Sequence, residues 1–305
     1  MLDAIIIGSG PAGLAAAIYG KRANLNIAVV EKEYEGTGQI AESSCVDNYL
    51  GLPGINGYDL GEQFRNHAVD FGVDFIEHEV VAIEKQSGGW KLAFEDGSSK
   101  EARTVIYAAG AQPRKADVPG EDRYIGKGVS YCAICDGAFY KGKTVAVLGG
   151  GDTAVDEALY LSDLCEKVYL IHRRTEFRGA AQRVEQARKK ANIEFVLGET
   201  VKEFVGGEKL TAVRLNSGTS IELNGVFVAY GSKPQTELLR GIVALDDSGY
   251  VVANEDGRTS QEGFFVAGDV RTKTLRQVVT AVSDGANAIT SVAEYIKIGA
   301  IGDGV

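Results

Sequence analysis

The sequence predicts an α/β protein in which one layered domain is inserted into another. Two glycine-rich turns, beginning at Gly8 and Gly149, each join an apolar strand to a helix. Two further apolar strands, at 104–108 and 264–267, each run into a glycine, one before and one after the second turn. Continuous apolar strands that alternate with helices are typical of parallel sheets covered on both faces.

The first turn follows the strand 4–7 and leads into a helix over 14–22. A second apolar strand, 27–30, ends at Glu31. In such a turn the glycines permit a tight bend, close approach of a pyrophosphate and helix packing, while the acid binds a ribose hydroxyl. The segment predicts a Rossmann-like dinucleotide-binding domain, with contacts from Gly8, Gly10, Pro11, Ala12, Gly13 and Glu31.

The second turn repeats the pattern as Gly-x-Gly-x-x-Ala, between the strand 144–148 and a helix over 155–162. The next strand, 168–171, ends in basic residues at the position of the acid. Arginines can pair bidentately with a 2′-phosphate, which an acid would repel. This turn therefore predicts a second Rossmann-like domain that binds NADPH, through Gly149, Gly151, Asp152, Thr153, Ala154, His172, Arg173, Arg174 and Arg178.

Near the C-terminus, a helix is predicted from Thr274 to about Ile296, because Thr274 and Gln277 have the spacing of a capping box. The preceding strand ends at Gly268 and Asp269. The positive end of this helix would point at a ligand beside Asp269, and it would stabilise negative charge on a reduced flavin ring.

The order of these segments predicts one domain that is split in sequence. Residues 1–113 and 242–305 are expected to form it, with a second domain of 114–241 inserted. Pro113 and Pro119 mark the outward crossing, and the segment 231–234 together with Gly241 marks the return.

Composition excludes several classes of function. The formal net charge of −10 opposes binding to nucleic acid, and there is no apolar run of membrane-spanning length. The N-terminal segment lacks the basic region and cleavage site of a signal peptide, which favours a cytoplasmic protein. Four cysteines are too few for a secreted disulfide scaffold in a chain of 305 residues.

Cys132 and Cys135 form a Cys-x-x-Cys pair, and Asp136 follows directly. Zinc is disfavoured because Cys45 and Cys165 are single and the histidines are scattered, so we predict no metal site. Two thiols at this spacing can close a disulfide, and the carboxyl of Asp136 can act as a general acid or, alternatively, cap a turn.

Taken together and in this order, these motifs resemble the low-molecular-weight, bacterial-type thioredoxin reductase family along essentially the whole chain. The resemblance implies that NADPH reduces FAD, that the flavin reduces the Cys132–Cys135 disulfide, and that the dithiol reduces thioredoxin or a thioredoxin-like protein. It implies that Cys135 faces the flavin and that Cys132 attacks the partner. It further implies a homodimer and a rotation of the inserted domain during turnover.

The same resemblance implies further flavin contacts, in addition to those of the first turn. They are Gly38, Gln39, Asn48, Ala109, Gly110, Gly268, Asp269, Arg276, Gln277 and Val278.

The chain departs from the family pattern around the flavin and at the domain junction, at 37–39, 42–45 and 231–236. These departures leave open NADH or ferredoxin as electron donor and a glutaredoxin-like protein as acceptor. A non-catalytic dinucleotide sensor is a further alternative, although the placement of the Cys-x-x-Cys-Asp segment argues against it.

Overall fold

The chain folds into two α/β units, and it passes from the first into the second and back. The computed structural model describes residues 1–33, 35–43, 45–177 and 180–302. Unit 1 comprises Met1–Gln112 with Lys233–Val305, and unit 2 comprises Pro113–Ser232.

The chain leaves unit 1 after Gln112 and returns to it at Lys233, whereas the sequence placed the ends of the inserted domain at 114 and 241. Strand β7 (Ala111–Pro113) pairs with strand β16 (Ser232–Pro234) at the crossing. Leu239 and Val243 then pack into the core of unit 1. Burial of these side chains assigns the segment to unit 1, whereas the glycine at 241 is an ordinary turn with a positive φ.

Unit 1 is built on a seven-stranded sheet of order β3-β2-β1-β6-β5-β4, with β17 beside β6. The central strands are parallel, and β4 and β5 are added antiparallel. The strands are β1 (Leu2–Ile7), β2 (Ile27–Glu31), β3 (Asp74–Glu77), β4 (Val80–Gln86), β5 (Gly89–Phe94), β6 (Ser99–Tyr107) and β17 (Phe264–Val266).

Three helices accompany this sheet: α1 (Pro11–Arg22), α2 (Gly57–Asp70) and α7 (Val278–Gly302). Helices α1 and α7 pack against each other and against one face of the sheet, where the apolar side chains of β1 and β2 are fully buried. The opposite face carries a second core around Trp90 and Phe264. Short 3-10 helices lie at Gly38–Glu42 and Glu237–Leu239.

Unit 2 contains a parallel five-stranded sheet of order β11-β10-β9-β15-β8 and an antiparallel sheet of order β12-β13-β14. One core lies between the parallel sheet and its helices, and another lies between the two sheets. The strands are β8 (Val129–Ser130), β9 (Thr144–Leu148), β10 (Lys167–His172), β11 (Ile193–Leu197), β12 (Val201–Gly206), β13 (Leu210–Leu215), β14 (Ser220–Glu222) and β15 (Gly225–Val228). The helices are α3 (Glu121–Tyr124), α4 (Ala133–Asp136), α5 (Asp152–Ser162) and α6 (Ala181–Arg188), with a 3-10 helix at Gly137–Tyr140.

The predicted strands and helices around both glycine-rich turns are confirmed, and so is the α/β class. The predicted start of the last helix at Thr274 is wrong, because α7 begins at Val278. The guanidinium of Arg276 donates to the carbonyls of Asp269, Arg271 and Lys273, which holds this segment in a non-helical loop. In the described part of the chain, no helix combines the length and the apolar character that crossing a membrane requires.

Candidate active site

The backbone of the first turn is crowded on one side and open on the other. Gly8 has a φ of +103°, and a Cβ there would lie 2.5 Å from the Ala108 carbonyl oxygen. A Cβ on Gly13 would lie 1.8 Å from the Gly8 carbonyl oxygen, whereas one on Gly10 would meet only the Thr37 oxygen at 3.9 Å. Helix α1 begins here without a side-chain cap, so its first N–H groups can bind an anion in the open space.

Glu31 lies at the end of β2 and is held in place by Ser9. Its Oε2 accepts hydrogen bonds from the Ser9 N–H at 3.0 Å and from the Ser9 hydroxyl at 2.7 Å. The Lys32 N–H donates to Oε1 at 2.8 Å. The carboxylate is therefore fixed beside the first turn, where it can still accept from a hydroxyl of a ligand. The sequence reading missed Ser9, which carries no motif of its own.

Several separate segments meet around the first turn. Gly38 approaches Gly10, since its Cβ would lie 3.1 Å from the Gly10 Cα, and a Cβ on Gly268 would lie 2.9 Å from that of Ala12. The Asn48 side-chain amide donates to the Gln277 Oε1 at 2.9 Å. Ala109 and Gly110 follow shortly after β6, and the backbone N of Ala109 lies 3.2 Å from the Cβ position of Gly8. Gln39, next to Gly38, has an exposed side chain. The structure thus gathers most of the predicted flavin contacts of unit 1.

Asp269, which follows Gly268, carries a hydrogen-bond acceptor that is not satisfied within the described residues. Its Oδ1 is buried and has no hydrogen-bond partner among the described residues. Burial raises the pKa of this carboxyl, and the nearby Lys273 and Arg276 partly offset the rise. A buried acceptor without a partner costs free energy, so this atom fits a hydroxyl-bearing cofactor such as a flavin nucleotide.

The second turn, in unit 2, likewise has one glycine that is crowded by backbone and one that faces open space. Gly149 has a φ of +156°, and a Cβ there would lie 2.6 Å from the Ala229 carbonyl oxygen. A Cβ on Gly151 would have no atom within 4 Å, which leaves open space at the start of α5. Thr153 is exposed in the first turn of α5, and Asp152 accepts from the Ala180 N–H at 2.7 Å.

The basic residues after β10 divide into two kinds. Arg173 and Arg174 are exposed, and neither has an ion-pair partner in the described ranges. His172 is buried instead, stacks on Phe177, and occupies the space that a Cβ on Gly150 would need, 2.1 Å from its ring. We therefore infer that the buried His172 ring packs against the backbone of the second turn at Gly150 and supports it. Arg178 lies outside the described residues.

Cys132 and Cys135 are joined in a disulfide, with their Cα atoms 5.3 Å apart. Cys132 caps the one-turn helix α4, and the Cys135 N–H lies 3.2 Å from the Cys132 Sγ. An N–H directed at a sulfur stabilises negative charge on it, so the geometry favours a thiolate at Cys132 after reduction. The same unit contains the second glycine-rich turn.

Asp136 lies beside the disulfide and is tied to a serine that the sequence reading missed. The buried hydroxyl of Ser130 donates to the Asp136 Oδ2 at 2.6 Å and accepts from the Cys132 N–H at 3.1 Å. Burial raises the pKa of the Asp136 carboxyl, and the Ser130 hydrogen bond partly offsets this. A carboxyl that holds its proton at higher pH than usual is suited to act as a general acid.

A second carboxyl beside the dithiol, that of Glu157 on α5, was also missed. Its Oε2 is buried without a hydrogen-bond partner in the described chain. Burial raises its pKa to about 7, and a hydrogen bond from the Ala133 backbone lowers it somewhat. A glutamate inside an amphipathic helix carries no sequence signal that distinguishes it from a solvated one.

The comparisons with known proteins agree with this arrangement. The sequence profile of the pyridine nucleotide-disulphide oxidoreductase family matches residues 2–285. This chain belongs to that family. Membership implies that this oxidoreductase uses a flavin and a pyridine nucleotide, in keeping with two glycine-rich turns and a disulfide in one chain.

Thioredoxin reductases are among its relatives in the family. The chain is 42% identical to the thioredoxin reductase of Mycoplasma genitalium over 303 residues, which cover 96% of this chain and 95% of the relative. It is also similar to the crystal structure of thioredoxin reductase from Streptococcus pyogenes, with a TM-score of 0.93, 38% identity, and coverage of 98% and 99%. A thioredoxin reductase structure from Giardia duodenalis gives a TM-score of 0.90 at 34% identity, with coverage of 96% and 98%.

Proposed function

We propose that this chain is a thioredoxin reductase that carries two electrons from NADPH, by way of FAD, to the disulfide of thioredoxin or a thioredoxin-like protein. The observation that carries the proposal is the Cys132–Cys135 disulfide, with the Asp136 carboxyl beside it. Unit 1 is the proposed FAD-binding domain, and unit 2 the proposed NADPH-binding domain. By the family pattern, the protein would be a homodimer in the cytoplasm, and light scattering of the purified protein tests the dimer.

Residues of both units would bind the two cofactors. Gly10 and the first N–H groups of α1 would hold the pyrophosphate of FAD, while Glu31 and Asp269 would accept from its hydroxyls. Arg173 and Arg174 would hold the 2′-phosphate of NADPH. Bound FAD would supply the redox chemistry that connects a nicotinamide hydride to the disulfide.

Reduction of the disulfide breaks its S–S bond and takes up two electrons. The Cys135 N–H would then stabilise a thiolate on Cys132, and Asp136 would hold or deliver the proton that the pair needs. The Cys132 thiolate attacks the disulfide of the partner to give a mixed disulfide. Cys135 resolves it, which restores the original bond and releases the partner as a dithiol.

Trapping experiments test this assignment. Cys135→Ser should stop turnover and leave Cys132 free to form a stable mixed disulfide with thioredoxin, which mass spectrometry detects. Cys132→Ser should stop turnover but trap poorly, and NADPH should still reduce the flavin in both variants. Efficient trapping through Cys135 would reverse the roles, and trapping through neither cysteine would remove the dithiol from the mechanism.

The alternative donors are NADH and reduced ferredoxin. Stopped-flow reduction of the purified flavoprotein with each donor separates them. Arg173 and Arg174 are exposed and have no ion-pair partner among the described residues, which favours NADPH, so reduction by NADPH is expected to be the fastest.

A further inference from the structure

A buried ionic cluster lies directly beside Asp269 in unit 1. We call Arg271, Lys273 and Asp284 the Asp284 cluster; their side chains are only 7%, 5% and 6% exposed. Arg271 binds the Asp284 carboxylate with both Nε and Nη2, at 2.9 and 2.6 Å. Lys273 Nζ lies 2.9 Å from the same carboxylate.

The charges of this cluster do not balance by themselves. Two buried cations share the single carboxylate of Asp284, and an uncompensated buried charge is strongly destabilising. Asp269 is the second carboxylate within ion-pair distance of Lys273, whose Nζ lies 3.7 Å from the Asp269 Oδ1. That distance is too long for a hydrogen bond, so Lys273 supplies charge to Asp269 and leaves the oxygen free to accept elsewhere.

Asp284 also fixes the backbone that presents Asp269. Its Oδ2 accepts from the Gly268 N–H at 3.0 Å, and Gly268 has a φ of +80°. The neighbouring Gly285 allows α7 to touch α1, because a Cβ there would lie 2.0 Å from the Ala12 carbonyl oxygen. Asp284 is therefore anchored where α7 crosses the first turn of α1.

We infer that Asp284 and Lys273 are positioning residues of the flavin site. Asp284 holds the Gly268 turn and the Lys273 ammonium, and Lys273 keeps Asp269 ionised as an acceptor for a hydroxyl of the cofactor. This inference rests on the proposed function in one respect, that the chain binds FAD in unit 1.

The charged groups that face Asp269 determine how the inference can be tested. They are Lys273 and Arg276 from the loop and Asp284 from α7, and Arg271 binds both carboxylate oxygens of Asp284. Replacing Lys273 by a neutral residue removes a favourable charge and leaves Asp284, whose charge opposes ionisation of Asp269. Asp269 should then hold its proton to higher pH, and the site should lose a charged acceptor at low pH.

The experiment measures the Kd of the full-length apoprotein for FAD between pH 6 and 9, by flavin fluorescence. Lys273→Met should bind FAD about tenfold more weakly at pH 6 and recover as the pH rises, because a charge-assisted bond is lost only while Asp269 is protonated. The unaltered chain and Lys273→Arg should show a constant Kd over this range. Asp284→Ala should weaken binding at every pH, because it also removes the acceptor of the Gly268 N–H.

Glu294→Gln is the matched control, because Glu294 is on the same helix and forms an exposed ion pair with Arg258. It should bind FAD normally. Normal binding by Lys273→Met at every pH would overturn the inference alone, and so would a loss that does not vary with pH. Failure of the unaltered chain to bind FAD would overturn the proposed function and this inference with it.

Discussion

The two glycine-rich turns have similar backbones, but they tolerate different side chains. In unit 1 the last motif position is Gly13, and a Cβ there would lie 1.8 Å from the Gly8 carbonyl oxygen. In unit 2 the same position is Ala154, whose fully buried side chain lies against Gly149. The last position of the motif therefore has two local geometries, although the sequence pattern allows glycine or alanine at it. Only the turn in unit 2 has room for a methyl group there.

The turns differ more in charge. The strand that follows the first turn ends in Glu31, whose carboxylate is held by Ser9. The strand that follows the second turn is succeeded directly by Arg173 and Arg174, which are exposed and have no ion-pair partner in the described ranges. Because the backbones of the two turns are similar, we expect the charged side chains at or just after the end of the next strand to decide which nucleotide each turn binds.

The largest expected effect comes from exchanging the last motif residues. Gly13→Ala should lower the free energy of unfolding by about 3 kcal/mol and abolish flavin binding, because the methyl group would collide with the Gly8 carbonyl oxygen. Ala154→Gly should cost only about 1 kcal/mol, the usual penalty of glycine in a helix. Thermal unfolding and the flavin content per chain measure both effects. A Gly13→Ala protein that is yellow and melts normally would contradict the comparison.

The charge difference predicts the next effect. Changing Arg173 and Arg174 together to Ala should raise the KM for NADPH about 100-fold, since two charge-assisted contacts to the 2′-phosphate are lost. The KM for NADH should change little. Arg214→Ala, which removes an exposed cation of the same unit, is the control. Equal losses with both coenzymes would show that these arginines do not recognise the phosphate.

A third difference concerns the helices that follow the turns. Where α5 carries Glu157, α1 carries the fully buried Ala16 at the equivalent position. Folding raises the pKa of Glu157 from an ordinary value near 4.5 to about 7, so the fold favours the protonated form. This contribution to stability is complete below pH 4.5 and is lost as the pH rises through 7.

Glu157→Gln should remove that loss, which is about 3 kcal/mol for a pKa raised from 4.5 to about 7. The variant should therefore gain stability relative to the unaltered protein between pH 5 and 8, as followed by urea unfolding at each pH. Asp163→Asn, at an exposed carboxylate just beyond the same helix, should leave the pH profile unchanged. Parallel profiles for the unaltered protein and Glu157→Gln would show that Glu157 is ionised in the folded chain.

The smallest effects are expected at the two free cysteines, one in each unit. Cys45 is half-buried, and Cys165 is buried, which raises its pKa to about 11 and keeps it as an unreactive thiol. Cys45→Ser and Cys165→Ser should each retain turnover within about twofold, and Cys165→Ser should lose about 1 kcal/mol of stability. Loss of disulfide reduction in Cys45→Ser with FAD still bound would bring Cys45 into the mechanism.

Short-range patterns in the sequence determined both turns, the strands that flank them and the redox pair. Each of these features depends on neighbouring residues: a glycine spacing, an apolar run, or two cysteines one helical turn apart. One local rule failed. The capping-box spacing at Thr274 placed the start of α7 too early, because Arg276 binds the loop carbonyls instead.

Only the tertiary structure decided which side chains support these motifs. Ser9 holds Glu31, Ser130 holds Asp136, and Asn48 meets Gln277 across a sequence separation of 229 residues. The Asp284 cluster likewise joins a loop to a helix that the sequence reading treated separately. Such contacts leave no periodic or spacing signal, because they form only when distant segments are brought together by burial of the two cores. The sequence thus determined the two glycine-rich turns and the cysteine pair, and the tertiary structure determined which charged and polar side chains hold these segments in place.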